Sequence, residues 1–408
     1  MKILLLGLIS VIFIIKLVVN LLEYQNRNAI IPKSVSDVYE REEYLNWKNY
    51  QNDNLKLNTI KLIVAYIVTM TIFSFNIHYL LVDFSKQLFA EMMLQFLFIF
   101  LILGIINLVY EVIFDYYKTF KIEEKYGFNK TTPKLFVRDN LIKFIAFLIL
   151  EAGLMVFLNQ VYLSTENFYL FLGMTFLAVL VFILLGPFLF KLGLKLFNKS
   201  VLLSEGSLKN KITEYTTKVN FPINNIYVID ASKRSTKANA YFTGFGKRRR
   251  IVLFDTLIDQ LSEEEIVSVL AHEVGHSKHK HMLKSIPFSL LTALIMLIGI
   301  YVLVSNQEIS VSFGFKESNF LFGTLMFFEL FPLIAIFMGM FRNIFSRKYE
   351  YQADHYAATT YSKEKIISAL KIMARNNLSS LTPHPLNVLI YASHPPLYLR
   401  VERIAEVS

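Results

Sequence analysis

The sequence predicts a mainly α-helical membrane protein with seven transmembrane helices and one small cytoplasmic α+β module. Of its 408 residues, 54% are hydrophobic and 18% are charged, whereas soluble proteins carry about 25% charged residues. The formal net charge is +10, because 42 Lys and Arg outnumber 32 Asp and Glu. These basic residues lie in loops between apolar runs, which is typical of proteins in a lipid bilayer. We therefore expect that the basic residues reflect insertion into a lipid bilayer, and that the protein does not bind nucleic acid.

Seven apolar runs have the roughly 20 residues that a helix needs to cross a hydrocarbon core. The runs are 3–22, 60–83, 90–113, 141–162, 168–195, 285–305 and 320–342. The first run follows Lys2 and resembles a signal peptide. However, Lys16 interrupts it and no small-residue cleavage site follows, so we interpret it as a membrane anchor.

The polar residues divide the chain into four regions. These are a five-span membrane region (1–195), a polar module (196–284), two further spans (285–342) and a C-terminal segment (343–408). Basic residues concentrate in loops 23–59 and 114–140, while the alternate loops carry at most one Lys each. Because basic loops stay on the cytoplasmic side, seven spans with an external N-terminus place the module and the C-terminal segment together in the cytoplasm.

The polar module combines predicted strands with one helix. "NNIYVID" (224–230) and "RRIVLFD" (249–255) have the composition of strands, and "ANAYFTGFGKRRR" (238–250) is typical of a hairpin arm with glycine turns. The stretch 262–284 is predicted to be helical. Ser262 is its expected N-cap, and three glutamates follow in the first turn, where the helix dipole favours them.

The predicted helix carries the pattern H-E-x-x-H at His272, Glu273 and His276. Histidines four positions apart share one helix face, so both can bind one Zn²⁺. Glu273 lies about 100° around the helix, where it can accept a proton from zinc-bound water. Solvated histidines beside a membrane are the alternative, and His279 and His281 fit that alternative well.

A catalytic zinc usually has three protein ligands. The chain has no cysteine, so the third ligand must be a histidine or a carboxylate. The best candidate is Glu350, with Asp354 one helical turn later in position to orient a ligand imidazole. The alternative is a charged juxtamembrane helix in which Arg347 and Lys348 pair with these acids. Beside H-E-x-x-H, the metal site is the better interpretation, with one Zn²⁺ per chain in a zincin-type metallopeptidase module.

These motifs resemble those of the integral-membrane CAAX prenyl protease type 1 family, which are gluzincin zinc metallopeptidases. H-E-x-x-H is followed beyond two spans by "SRKYEYQAD" (346–354). The stretches 120–139, 232–258 and "SHPPLYLRVERI" (393–404) also resemble the family. The resemblance covers nearly the whole chain.

The resemblance implies roles for individual residues. It makes His272, His276 and Glu350 the zinc ligands and Glu273 the general base and acid. It further implies that Asn239 holds the substrate backbone near the metal, and that the family positions matched by His394 and Arg400 lie near the scissile carbonyl. Donors at those positions would stabilise an oxyanion.

The family also implies seven helices around a hydrated chamber that the zinc faces from the cytoplasmic end. Such a chamber suits the intramembrane carboxylates Glu111, Glu151 and Glu329, because carboxylates in lipid are costly. For any one of them, a structural pair or a misplaced span boundary explains the residue equally well.

The predicted function is that of an integral-membrane zinc endopeptidase that acts on peptide or protein substrates, either prenylated or membrane-associated. The substrate is expected to add as a strand along the arm at 238–242. The Lys-, Asn-, Ile- and Phe-rich composition favours a bacterial homologue in the cell membrane; a eukaryotic one would lie in the endoplasmic reticulum membrane. The alternatives are a membrane quality-control protease without prenyl specificity, and a non-catalytic zinc-containing scaffold or transporter.

Overall fold

Long apolar helices form the N-terminal half of the computed structural model, which describes residues 1–165, 167–243 and 250–407. These helices are α1 (Lys2–Asn26), α2 (Arg41–Ser74), α3 (Ile77–Leu88), α4 (Met92–Tyr117), α5 (Pro133–Ser164) and α6 (Phe168–Phe197). The start of α5 is encoded locally. Pro133 occupies its first turn, and the Thr132 hydroxyl accepts a hydrogen bond from the backbone N–H of Leu135.

The polar module follows as strands and short helices. Its elements are β1 (Ser200–Leu202), α7 (Ser207–Lys218), β2 (Asn225–Ile229), β3 (Ala240–Thr243), β4 (Arg250–Phe254), α8 (Asp255–Gln260) and α9 (Glu263–Lys278). The remaining helices are α10 (His281–Ser305), α11 (Gln307–Val311), α12 (Phe320–Ala357), α13 (Lys363–Asn376), α14 (Pro385–Tyr391) and α15 (Leu397–Ala405).

Six helices in the described parts of the chain are long and apolar enough to cross a membrane. They are Lys2–Asn26, Arg41–Ser74, Met92–Glu123, Pro133–Ser164, His281–Ser305 and the apolar part of Phe320–Asn376. The predicted span 168–195 corresponds to α6, whose described apolar stretch is the shorter Phe168–Ile183. The predicted membrane class and mainly helical content are therefore confirmed, and the count of seven stays a prediction.

The predicted second span, 60–83, has the wrong boundaries. α2 begins at Arg41 and ends at Ser74, and α3 starts only after a turn at Asn76. Asn76 has φ 52°, the left-handed conformation that asparagine tolerates better than most residues. Both sides of this turn are apolar, so hydropathy alone could not show that the chain changes direction there.

A four-stranded sheet forms the base of the module in the order β1-β2-β4-β3. β2 and β4 run parallel, while β1 and β3 pair with them antiparallel. The strands predicted at 224–230 and 249–255 are thus confirmed as β2 and β4. The predicted arm pairs as β3 with β4, from Ala240 opposite Leu253 to Thr243 opposite Arg250; its residues 244–249 lie outside the described residues. β3 is an edge strand of the described sheet.

The predicted helix 262–284 is wrong at its C-terminal end. α9 ends at Lys278, and Lys280 has φ 56°. This left-handed residue breaks the helix, and α10 begins at His281. His281 therefore lies on a separate helix from His272 and His276.

One continuous helix joins the last membrane span to the C-terminal segment. α12 runs from Phe320 to Ala357, through the boundary placed at 342, because its later residues contain no helix breaker. Its last turns leave the apolar run and pack against α9. The division into four domains itself stays a prediction.

The predicted cytoplasmic segments pack against one another. Val35 and Trp47, from loop 23–59 and the start of α2, share a buried cluster with Leu381 and Val401 of the C-terminal segment. Loop 114–140 contacts the module, where Lys237 Nζ lies 3.2 Å from Glu123 Oε1. These contacts agree with the expectation that the basic loops, the module and the C-terminal segment share one side of the membrane.

Candidate metal centre

α9 carries the H-E-x-x-H motif, and its sequence determines where it begins. The Ser262 hydroxyl accepts a hydrogen bond from the backbone N–H of Glu265, and the Glu265 carboxylate accepts one from the backbone N–H of Ser262. This reciprocal capping box satisfies two N–H groups that a helix start leaves unpaired. Beyond the cap, apolar residues such as Val267 and Val274 are fully buried, so the packing of the module core holds α9 in place.

Two helices bring the three predicted ligands to one point. The Nε2 atoms of His272 and His276 lie 3.1 Å apart on α9. On α12, the carboxylate of Glu350 lies 3.2 Å from His276 Nε2 and 3.4 Å from His272 Nε2. The pairing of the motif with Glu350, predicted across two membrane helices, is therefore present in the fold.

The spacing of the two Nε2 atoms, and of each one from its nearer oxygen of the Glu350 carboxylate, fits a tetrahedral metal site. Ligand atoms at about 2.0–2.1 Å from one zinc ion lie roughly 3.3 Å apart at tetrahedral angles, close to the observed 3.1–3.4 Å. In the described part of the chain, the buried Oε2 atom of Glu350 has no hydrogen-bond partner. Buried carboxylate oxygens normally have one, and a metal ion would satisfy this atom.

Asp354 lies behind the ligands and contacts His272. One of its carboxylate oxygens is 2.8 Å from His272 Nδ1, as expected for a residue that orients a ligand imidazole. Burial lowers the pKa of His272, but the carboxylates of Asp354 and Glu350 outweigh it and raise the pKa to about 9. Asp354, which contacts the ring nitrogen on the far side from Glu350, would make this imidazole a stronger electron-pair donor to a metal.

Arg400 is also buried, and it pairs mainly with Asp354. Its Nε and Nη2 atoms donate to the two Asp354 oxygens at 2.8 and 2.7 Å, and Nη2 lies 3.6 Å from Glu350 Oε2. Burial lowers the pKa of Arg400, but the two carboxylates raise it above its ordinary value. The guanidinium therefore stays charged and anchors the carboxylates behind the site.

Glu273 lies on α9 between the two histidines in sequence and is partly buried. Burial raises the pKa of its carboxyl group; Glu350 adds to that effect, while the histidines and Arg400 oppose it. A carboxylate with a raised pKa accepts a proton from water more readily than an ordinary one.

His394 and Asn239 lie on separate elements. His394 precedes α15 and its Nε2 lies 3.5 Å from Glu350 Oε1, with 63% of the side chain exposed. The fold thus brings His394 to the accessible side of the site. Asn239 is exposed just before β3, and its Oδ1 accepts a hydrogen bond from the backbone N–H of Ala240 at 2.8 Å. The catalytic roles expected for both residues stay predictions.

Two of the intramembrane carboxylates have cationic or ionisable partners. Glu111 lies 2.5 Å from Lys61 Nζ, and Glu329 lies 3.6 Å from His78 Nε2. The structural-pair explanation therefore applies to these two acids. The side chain of Glu151 lies outside the described residues.

Known proteins share these features. The sequence profile of peptidase family M48 matches residues 202–408, and that of the CAAX prenyl protease N-terminal region, with five membrane helices, matches residues 20–199. A CAAX prenyl protease 1 homolog of Oryza sativa subsp. japonica is 36% identical over 301 residues, which cover 72% of this chain and 69% of the relative. The chain belongs to peptidase family M48.

Further relatives extend this likeness. CAAX prenyl protease 1 of Saccharomyces cerevisiae is 34% identical over 311 residues, covering 72% of this chain and 68% of the relative. A crystal structure of S. mikatae Ste24p has a TM-score of 0.92 and 26% identity, covering 99% of this chain and 98% of that one. This M48 peptidase is therefore a multi-pass membrane metallopeptidase with the Ste24p fold.

Sequence reasoning missed two features of this M48 peptidase. Gly275, inside the motif, lies where a Cβ would approach the Ala353 Cα on α12 to 3.0 Å, so it permits close packing of the two ligand-bearing helices. The sequence shows that Gly275 and Ala353 are small residues, but it does not show that they face each other across two helices. His281 was assigned no role, yet it contacts the outer nitrogen of His276.

Proposed function

We propose that this chain is an integral-membrane zinc endopeptidase in which His272, His276 and Glu350 hold one Zn²⁺. The observation that carries this proposal is the convergence from two helices of two imidazole nitrogens and one carboxylate, at distances that fit tetrahedral coordination. Glu273 lies beside these residues on α9. A purely structural metal site would not need this additional carboxylate, so its presence favours a catalytic site. We further place the module and the C-terminal segment in the cytoplasm, since they pack with the basic loops.

The chain's own residues perform the proton transfers. When bound, Zn²⁺ supplies a Lewis acid that polarises a carbonyl and acidifies water. Glu273 accepts a proton from the water whose oxygen attacks the peptide carbonyl carbon. It then delivers a proton to the amine nitrogen as the carbon–nitrogen bond breaks. Burial, which raises the pKa of Glu273, favours both steps.

Other residues stabilise and orient the reacting groups. His394, exposed and 3.5 Å from Glu350, can donate an N–H to the developing oxyanion. Two donor atoms of Arg400 bind Asp354, so we assign Arg400 to holding Asp354, and through it His272, rather than to direct contact with substrate. This assignment revises the role that the family resemblance implied for Arg400.

The substrate is proposed to bind as an added strand beside β3. β3 is an edge strand of the described sheet and packs against α9, so a peptide paired with it would run past the motif. Edge pairing uses backbone hydrogen bonds and reads the backbone before the side chains. Asn239, at the start of β3, would contact the peptide backbone.

The relatives are called CAAX prenyl proteases, and we propose the same substrate class here: a prenylated cysteine followed by a short C-terminal peptide. The test uses the zinc-loaded full chain in lipid vesicles with a farnesylated peptide and its unprenylated twin. We expect faster cleavage of the farnesylated peptide. Glu273→Gln should lower kcat by about 10²–10⁴-fold while zinc content stays near one per chain.

Glu263→Gln is the matched control, because Glu263 lies in the first turn of the same helix and pairs with Lys211. Its kcat should stay within a few-fold of the wild-type value. Full hydrolysis by Glu273→Gln would refute the assigned base. Equal cleavage of both peptides would refute prenyl specificity and leave a general membrane protease. A chain that binds zinc but cleaves neither peptide would be a scaffold.

A further inference from the structure

His281 occupies a well-defined place beside the metal centre. It is the first residue of α10, directly after the left-handed Lys280, and only 5% of it is exposed. Its ring stacks on Tyr349 at 4.3 Å between centroids and on His279 at 5.5 Å. The break between α9 and α10 therefore turns this imidazole back towards the motif and holds it between two rings.

The polar edge of His281 links two other side chains. Its Nδ1 lies 2.9 Å from Nδ1 of His276, and its Nε2 lies 2.9 Å from Oε1 of Gln352 on α12. A neutral imidazole carries one N–H and one acceptor nitrogen. In a row of hydrogen bonds that passes through such rings, the direction of one bond therefore sets the direction of the next. Gln352 is two positions from Glu350, so this row of hydrogen bonds ends on α12, the helix that carries the third proposed ligand.

Metal binding by His276 allows only one arrangement of protons in the row of hydrogen bonds from His276 through His281 to Gln352. His276 presents Nε2 to the other ligands, so its proton must lie on Nδ1, which donates to Nδ1 of His281. The proton of His281 then lies on Nε2, which donates to the Gln352 carbonyl oxygen. If the Gln352 amide donated instead, both histidines would reverse, and His276 would present an N–H to the metal.

We propose that His281 and Gln352 are positioning residues that hold His276 in its metal-binding tautomer and orientation. The inference rests on the proposed zinc site and adds a partner to the second histidine ligand, as Asp354 contacts the first. Metal-bound histidines generally donate their other N–H to such a partner, and losing it typically costs 10–100-fold in metal affinity.

The test measures the zinc dissociation constant of the full chain in detergent by competition with a chelator. His281→Phe keeps an aromatic ring for stacking but removes the acceptor, and we expect weaker zinc binding by about 10–100-fold. His281→Asn should recover part of this loss, because its side-chain oxygen can accept from His276. Gln352→Met should weaken binding, while Gln352→Glu, an obligate acceptor, should retain it.

The control is His279→Phe, which preserves the stacked ring and removes a histidine for which the described residues show no hydrogen bond to His276. Its zinc affinity should match the wild type. The thermal midpoint of each metal-free variant separates packing from positioning: a packing role lowers the midpoint in proportion to the lost affinity, whereas a positioning role changes affinity alone. If His281→Phe does not fold, Gln352→Met and Gln352→Glu still decide the question.

Zinc affinities within about twofold of wild type for both His281→Phe and Gln352→Met would overturn this inference and leave the zinc site intact. A wild-type chain that binds no zinc, or binds it equally well after Glu350→Ala, would instead overturn the proposed function and this inference with it.

Discussion

At the scale of single residues, the buried pair of Asp354 and Arg400 connects the proposed ligands to the C-terminal helix α15. Asp354 is 1% exposed and Arg400 is 9% exposed, and two charge-assisted hydrogen bonds join them. Because Asp354 also contacts His272, we expect a change at either residue to affect both the stability of the fold and the orientation of this proposed metal ligand.

Arg400→Met should be strongly destabilising, because it leaves the Asp354 carboxylate buried without its cation. Breaking one side of a buried pair costs about 3–5 kcal/mol, which is measured as a fall in the thermal midpoint. The double variant Asp354→Leu with Arg400→Met should be more stable than Arg400→Met alone. Arg403→Met is the control, since Arg403 is exposed and its guanidinium lies over the Tyr351 ring. A double variant less stable than the single one would contradict this account.

At the scale of elements, the close approach of α9 and α12 forms the site. Two of the proposed ligands lie on α9 and one on α12, so their spacing depends on how closely the helices pack. Gly275 and the buried Ala353 permit that approach, because neither has a side chain beyond Cβ. The same principle operates between α10 and α12, where a Cβ at Gly323 would lie 2.5 Å from the Val304 Cα.

Gly275→Ala should therefore lower zinc affinity and the thermal midpoint together. Helix propensity alone would favour alanine by about 1 kcal/mol. However, the new Cβ would meet the Ala353 Cα at 3.0 Å and the Ala353 carbonyl oxygen at 3.2 Å. These are backbone atoms, so the whole helix must move. Gly7→Ala is the control, because nothing lies within 4 Å of its Cβ position. If Gly275→Ala raised the midpoint and left zinc affinity unchanged, the packing argument would be wrong.

At the scale of the whole molecule, ion pairs tie the module to the membrane region. Arg234 donates to Asp139 of α5 at 2.7 and 3.2 Å, and to the backbone oxygen of Phe197 at 2.6 Å. Lys237, near the start of β3, lies 3.2 Å from Glu123. These contacts fix where the proposed substrate strand lies relative to the membrane helices.

Arg234→Met should loosen the module. The substitution removes two hydrogen bonds to the largely buried Asp139 carboxylate, and each loss costs about 1.5–3 kcal/mol before relaxation. We therefore expect a lower thermal midpoint and faster limited proteolysis between residues 199 and 240. The neighbouring Lys233 pairs with Asp230 at the surface, where ion pairs contribute roughly 0–1 kcal/mol. Lys233→Met should thus leave both measurements nearly unchanged. Equal effects of the two variants would refute the proposed tie.

Features of this protein that depend on local chemistry could be predicted from its amino-acid sequence. Apolar runs predicted the membrane helices, strand composition predicted β2 and β4, and the spacing of His272 and His276 placed both imidazoles on one helix face. The family motifs then predicted that Glu350 joins them. The helices, the strands and the pair of imidazoles follow from residue type and short-range periodicity, whereas the assignment of Glu350 also rests on the resemblance to the family.

The way in which separate segments meet becomes visible in the folded chain. The left-handed residues Asn76 and Lys280 interrupt helices within stretches that hydropathy or helical composition treats as continuous. The break at Lys280 brings His281 against His276, and the packing of α12 on α9 brings Glu350 and Gln352 to the same site. Long-range contacts depend on backbone direction and packing between distant residues, neither of which is encoded in the pattern of any one segment.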